Sequence, residues 1–429
     1  MRFWIILFCA ALHAQPNSVW STDFAVVSGA PAALTSATNG VRWVLAAPDG
    51  TFYASSRGGV YKAASSCIAA DPTNAACWIA INTGLTTLVG PNPTYDQYLA
   101  GTALDWVNGK LVGVFRDPNG NGFRLGSWDG STWTMSANTD TSHNGPIGMT
   151  HDASNVIYAG FSQFYKSTDG GATLTLVSSD PWLDAGYSSF TGRNVFQPDV
   201  IGGKLYLAGE GPGIRYDDLT FSTNTLLLPK DGTGTGSCTD SSSPSQPGCY
   251  SSNFRGWVSD GTVATAPNYE ILSIAVPSAS WSVPSVQRYD VGTALWSPIP
   301  IMSIPGTGGY VNTFWQPRHL VKGYSSREYY WVGFHQSPEG FGGVFGTVDG
   351  GVTWTMLGST GSTGQRLNGG SCSAANAHCP QFIAINPVDD SKLVASNNAI
   401  WFGVGVASTT GGSGLSGLIS MRGAAAIKE

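Results

Sequence analysis

Along this chain short apolar runs alternate with polar positions and are broken by Gly, Asn, Asp and Pro, which is the period-two pattern of half-buried β-strands. A first unit reads as strands over 41–46, 51–54 and 59–62 with an outer edge at 78–80, the first two joined by the Pro48-Asp49-Gly50 turn. A second has 103–107, an Asn108-Gly109 turn, 110–115, 122–127 and 133–135. A third runs 145–150, 155–160, 163–167 and 173–177, and a fourth runs 195–200, 204–208, 214–216 and 225–228 around Gly202-Gly203. A fifth covers 254–259, 261–266, 271–276 and 285–289, with Trp296 beyond, and a sixth 318–322, 328–334, 342–346 and 354–356. The last, 381–386, 392–396 and 399–404, lacks an outer strand, while the apolar segment 18–27 has no partner of its own. Units spaced by about fifty residues predict an all-β, seven-bladed β-propeller of four-stranded antiparallel blades, with the N-terminal strand closing the ring and covering both sheet edges. A two-domain sandwich would leave the even spacing unexplained.

Ser167-Thr168-Asp169-Gly170-Gly171-Ala172-Thr173-Leu174 and Thr347-Val348-Asp349-Gly350-Gly351-Val352-Thr353-Trp354 echo each other, and Ser127-Trp128-Asp129-Gly130-Ser131-Thr132-Trp133 is a copy one residue short. Each places an Asp where it accepts backbone N–H groups across a turn, with Gly free to take positive φ. On these residues the chain resembles the Asp-box, or BNR-repeat, proteins of the sialidase-like β-propeller superfamily. Its overall plan is similar to that of seven-bladed polysaccharide-active propellers. The resemblance implies a structural role for Asp129, Asp169, Asp349 and Trp354 on the face away from the ligand, and supplies no catalytic residue.

Residues 1–14 have a basic start, an apolar run and a small-residue cleavage site, so a secreted, extracellular protein with a single propeller over 15–407 and a Gly-rich tail over 408–429 is expected. With only 11% charged residues and a net charge of -6, neither nucleic acid nor an anionic membrane is an expected partner. Of seven cysteines, Cys9 falls in the leader. The others form three local pairs, Cys67 with Cys77, Cys238 with Cys249 and Cys372 with Cys379, favoured as disulfides in an oxidising compartment. The second pair lies in a Ser/Gly/Thr/Pro-rich surface insertion over 231–252. No cofactor is required by any motif and no His/Asp/Cys spacing suits a metal. The oxygen-rich 117–122 segment lacks the later bidentate Glu of a calcium loop and reads as an Asn-Gly hairpin, leaving structural Ca²⁺ weakly supported.

In a propeller the starts of the innermost strands and the ends of the second strands meet on one face. Those positions gather Arg57, Arg116, Arg193, Arg255, Arg318, Asn144 and Gln163 as substrate-binding candidates, with His143, His319, His335, Tyr269, Glu210 and Glu270 as catalytic candidates. Arg193, Arg255 and Arg318 open three successive units, and such a trio would hold a carboxylate by paired N–H bonds. Sialidase-like enzymes use an arginine triad similarly, although the paired Tyr269-Glu270 would face opposite ways on a strand. The expected function is a monomeric, carbohydrate-active protein acting on an acidic, uronate-containing polysaccharide by β-elimination, with His335 preferred as base. Hydrolysis by paired carboxylates, drawn from Glu210, Glu270, Asp105 and Asp199, is the alternative enzyme reading. A non-catalytic lectin-like propeller is the other, with Trp20, Trp182, Trp315 and Tyr310 available to stack on sugar rings.

Overall fold

A computed structural model describes residues 19–20, 24–35, 40–85, 100–116, 123–136, 148–160, 163–184, 195–209, 213–227, 253–259, 270–276, 285–290, 295–300, 315–323, 328–335, 342–347, 355–357, 380–396, 399–404 and 407–408. Two short strands come first, β1 (Val19–Trp20) and β2 (Ala25–Val26). The first complete sheet is β3 (Trp43–Ala46), β4 (Thr51–Ser56), β5 (Gly59–Ala64) and β6 (Ile79–Ala80). Next are β7 (Ala100–Val107), β8 (Lys110–Arg116), β9 (Phe123–Trp128) and β10 (Trp133–Met135). The third is β11 (Gly148–His151), β12 (Ile157–Gly160), β13 (Phe164–Ser167) and β14 (Thr175–Ser178). The fourth is β15 (Val195–Ile201), β16 (Lys204–Gly209), β17 (Gly213–Tyr216) and β18 (Asn224–Leu227). β19 (Asn253–Ser259), β20 (Glu270–Val276), β21 (Ser285–Asp290) and β22 (Leu295–Pro300) follow, described by backbone pairing alone. Then come β23 (Trp315–Lys322), β24 (Tyr329–His335), β25 (Gly342–Thr347) and β26 (Thr355–Leu357). The last sheet is β27 (Pro380–Ile385), β28 (Ser391–Ser396) and β29 (Ile400–Val404), edged by β2, and β30 (Ala407–Ser408) pairs with β1.

There are thus seven four-stranded antiparallel sheets among the described residues, six of which carry described side chains. Their innermost strands touch in the cyclic order β3, β7, β11, β15, β19, β23, β27 and back to β3. This is a β-propeller.

An N-terminal strand completes the last sheet, as expected, but it is short: Ala25 and Val26 pair with Phe402 and Trp401, the Val27 N–H donates to the Ile400 carbonyl, and Val19 and Trp20 pair with Ser408 and Ala407 in a separate ribbon. The fifth unit is corrected: the place of the second strand, expected at 261–266, is taken by Glu270–Val276, which pairs with β19 directly, and 261–266 lie outside the described residues.

Turn chemistry explains the hairpins. Asn108 (φ 49) and Gly109 (φ 74) join β7 to β8 with Val107 opposite Lys110, and Gly202 with Gly203 do the same between β15 and β16. Two positive φ values in a two-residue loop match the right-handed strand twist, so these sequences select the tight hairpin. Within each blade the apolar faces of neighbouring sheets supply the core. Phe123, Leu125 and Tyr165 pack between the second and third sheets, and Ile383, Val394 and Trp401 between the sixth and seventh. The Trp133 indole N–H donates to the Ile81 carbonyl and its backbone N–H to the Thr83 carbonyl at 2.8 Å, which stitches the second blade to the first.

The Asp turns are hydrogen-bonded devices. Asp129 Oδ1 accepts the N–H of Ser131 at 2.8 Å and of Thr132 at 2.9 Å. Asp169 Oδ1 accepts the N–H of Thr173 at 2.9 Å and the Ser167 hydroxyl at 2.8 Å, and Ser167 Oγ accepts the Gly171 N–H. A further turn of this kind, hidden in the sequence because Leu219-Thr220 stand where the other copy has Gly170-Gly171, is centred on Asp218, whose Oδ1 accepts the N–H of Thr220 and Ser222. Asp349 and Trp354 lie outside the described residues. Cys67 in α2 (Ser65–Ala70) is bonded to Cys77 in the 3-10 turn Ala75–Cys77, as expected; the other four paired cysteines lie outside the described residues.

Candidate functional site

The antiparallel register fixes which residues share a face. Ala100 lies opposite Arg116, Trp315 opposite His335, and Asn253 opposite Val276, so inner-strand starts and second-strand ends form one rim. On it sit Arg57, in the turn between β4 and β5, and Arg116, the last residue of β8. Both side chains are partly buried. Burial, and then the charge of Arg57, lower the proton affinity of the Arg116 guanidinium, so the two cations are close across the first and second blades. Gln163 occupies the corresponding place in the third blade, its side-chain oxygen accepting the Tyr165 hydroxyl.

Near their starts, five inner strands carry a register irregularity against the second strand: between Gly101 and Ala103, Val195 and Gln197, Phe254 and Trp257, Pro317 and His319, and Pro380 and Phe382. Bulges of this kind bend a strand and re-aim a side chain, and they recur beside functional sites. Arg255 lies in the bulge of β19 and Arg318 in that of β23, so two of the three arginines singled out in the sequence fall in inner-strand irregularities of adjacent blades. His335 ends β24 on this rim. Arg193, Asn144, His143, Tyr269, Glu210, the 117–122 segment, the 231–252 insertion and Tyr310 lie outside the described residues.

Two candidates are placed elsewhere. Glu270 begins β20 opposite Asp290, next to the partner of Ser259, which puts it at the far end of its blade. His319 is 4% exposed, with its ring centroid 4.9 Å from that of Trp43 and 5.8 Å from that of Phe382. Its Nδ1 accepts the Ile383 N–H at 3.2 Å, and burial pushes its pKa down to about 4, so it packs as a neutral core histidine at the axis.

At the opposite end of the axis the ends of the inner strands surround a cavity of about 260 Å³, lined by Trp43, Asp105, Met149, Asp199, His319 and Lys322 among others. His151 Nδ1 is 2.8 Å from Asp105 Oδ2, and Asp105 Oδ1 accepts the Trp106 N–H at 2.8 Å. Burial, reinforced by the charge of Asp105, pushes the Asp199 carboxyl up to about 7. The hydrogen bond to Asp105 raises the pKa of His151. Sequence reasoning had Asp105 and Asp199 only as spare carboxylates and missed His151. The available signal was that both aspartates lie two residues from the end of an inner strand. No group of three or more His, Cys, Asp or Glu side chains suited to a metal ion occurs among the described residues. Among them, no helix is long and apolar enough to cross a membrane.

No family model matches the chain, and no curated protein matches it. Among solved structures it is similar to YCF48 from Cyanidioschyzon merolae, with 9% identity and a TM-score of 0.52 over 90% of this chain and 98% of that one. It is also similar to Raptor from Chaetomium thermophilum, with 9% identity and a TM-score of 0.51 over 90% of this chain but only 30% of that longer one. These likenesses show the fold alone. Membership of the sialidase-like BNR family is corrected accordingly: the Asp turns are local hydrogen-bond solutions to closing an outer hairpin, and a short turn motif that any antiparallel blade can use does not carry descent.

Proposed function

We propose that this propeller binds a carboxylate-bearing polysaccharide on the rim where the inner strands begin, and cleaves it by β-elimination. The observation that carries the reading is that Arg255 and Arg318 each fall in a bulge of adjacent inner strands, in the halves of those strands nearer the rim that carries the close pair Arg57 and Arg116. Guanidinium groups in such a row suit carboxylates spaced along an extended polymer, because each planar fork gives two parallel N–H bonds. Neutralising a uronate carboxylate lowers the barrier to removing the neighbouring C5 proton. His335 on this rim is the base that would take that proton. The C–H electron pair becomes the C4–C5 double bond, the C4–O bond breaks, and the leaving oxygen collects a proton from a donor.

Hydrolysis by Glu210 with Glu270 is less well supported, since Glu270 begins its strand at the far end of the blade. A panel of uronate, sulfated and neutral polysaccharides separates the readings when ultraviolet absorbance and reducing ends are followed together. Elimination gives both signals from uronates, hydrolysis gives reducing ends alone, and a lectin gives retention on immobilised uronate with neither. Absence of turnover and of retention on every polyanion would end the acidic-glycan reading.

A further inference from the structure

The axial cavity opposite the arginine rim is lined by Asp105 of β7 and Asp199 of β15, and His151 at the end of β11, in the blade between them, is bonded to Asp105, so titratable groups of three consecutive blades form one cluster. Asp105 is fixed on both oxygens, by His151 on one and the Trp106 N–H on the other. Asp199 lies deep in the fold yet keeps part of its surface on the cavity, and Lys322 of β23 faces it from the far wall. The other described groups around the cluster are accounted for. Asp152, just past β11, is taken up by the N–H of Ser154 and Val156 and by the Tyr158 hydroxyl. His319 of β23 is buried among rings, β3 and β27 line the cavity with uncharged residues, and the charged residue of β19, Arg255, lies towards that strand's other end.

We propose that Asp105, His151 and Asp199 form a proton-operated latch that ties the inner strands of three consecutive blades together and loosens as pH rises through neutrality. With Asp199 neutral and His151 charged, the cluster holds one negative charge against one positive. Loss of both protons leaves two carboxylates beside a neutral imidazole, with Lys322 as the remaining cation of the wall. The sign follows from linkage. Asp199 is raised to about 7 and His151 is raised above its usual value, so at these two groups the folded protein binds more protons than the unfolded chain, for Asp199 from the ordinary carboxylate range up to about 7 and for His151 from its usual value upwards, and stability falls with pH across those intervals.

Urea unfolding and amide hydrogen exchange of the full chain, run from about pH 5.5 to about pH 8.5, test this. Because His319 pulls the other way below about 6.5, the slope is read against Asp199→Asn: up to about pH 7 the unfolding constant of the wild type should rise with pH relative to that variant by up to roughly tenfold per pH unit, and the difference should level off above it. Exchange should accelerate in β7, β11 and β15 ahead of β27 and β28. Asp199→Asn, which keeps the neutral shape, should flatten the pH slope. An unchanged slope in that variant, or acceleration spread evenly over all blades, would overturn the latch. Should Asp199→Asn fail to fold, carboxyl-carbon NMR of the wild type decides the matter, a midpoint for Asp199 near neutrality supporting the latch and one in the ordinary carboxylate range refuting it.

Discussion

Arg57, in the turn after β4, holds its charge close enough to Arg116, at the end of β8, to disfavour protonation of the second guanidinium beyond the effect of burial. The charge of a bound carboxylate would offset that repulsion, so Arg57→Gln should weaken binding of an oligouronate at least tenfold at low salt, the difference shrinking as salt rises. Calorimetric titration of the two proteins at low and at high salt reads the effect.

Phe221 adopts φ 64, where a side chain other than that of Gly, Asn or Asp is rare, and its ring meets Tyr216 at 5.1 Å and both Tyr158 and Phe164 at 5.9 Å. Aromatic packing between the third and fourth blades offsets the backbone cost. Phe221→Ala should cost about 2 to 3 kcal/mol, since the ring is only partly buried. Phe221→Gly should cost no more than Phe221→Ala, the reverse of the usual order, because glycine releases the left-handed strain. Chemical denaturation of the two variants makes the comparison.

His319 gives the protein an acid limb. In the unfolded chain it takes a proton near 6.5, whereas in the fold it does so only near 4, so stability is lost progressively as pH falls across that interval. Asp169 extends the loss further. Burial raises its carboxyl, but hydrogen bonds from Thr173 and Ser167 outweigh that and hold it at about 2, so its contribution is present above the usual carboxylate range and disappears on the way down to about 2. His319→Gln should shift the onset of acid unfolding to lower pH, and Asp169→Asn should flatten the final drop. Tryptophan fluorescence, with Trp43 beside His319, follows both.

The Cys67–Cys77 bridge closes a loop with a sequence separation of 10 against the first blade. Replacing both cysteines by serine should cost about 2 to 3 kcal/mol through the freed unfolded chain, and added reductant should lower the wild type towards the same midpoint.

Local turn chemistry was the most legible part of the sequence. Asn108-Gly109, Gly202-Gly203 and Asp49-Gly50 each predict a hairpin because few residues tolerate those backbone angles, and each forms one. The period-two pattern of 261–266 placed the second strand of the fifth sheet too early, because alternation alone does not choose between successive runs, and Glu270–Val276 holds the register. That shift carries Glu270 to the other end of its blade. His319 was misplaced for a related reason. The inner strand begins at Trp315, three residues before the expected start, so a histidine assigned to the rim sits midway along β23 and turns into the core. Bulges left no local signature, because they are a property of two paired strands, and so the placement of Arg255 and Arg318 in bulges of adjacent inner strands emerged only from the fold. The His151–Asp105 pair joins residues 46 apart in sequence and was equally invisible.

The central claim is that a row of guanidinium groups on one rim reads carboxylates. Titration of the full chain with a uronate oligosaccharide and with the same oligosaccharide reduced to its neutral alcohol, at low and at high salt, tests it most directly. The account predicts saturable binding of the charged form that weakens with salt, is at least tenfold weaker in Arg255→Ala and in Arg318→Ala, and is absent for the neutral form. Equal affinity for the two forms, or binding untouched by both substitutions, would contradict it.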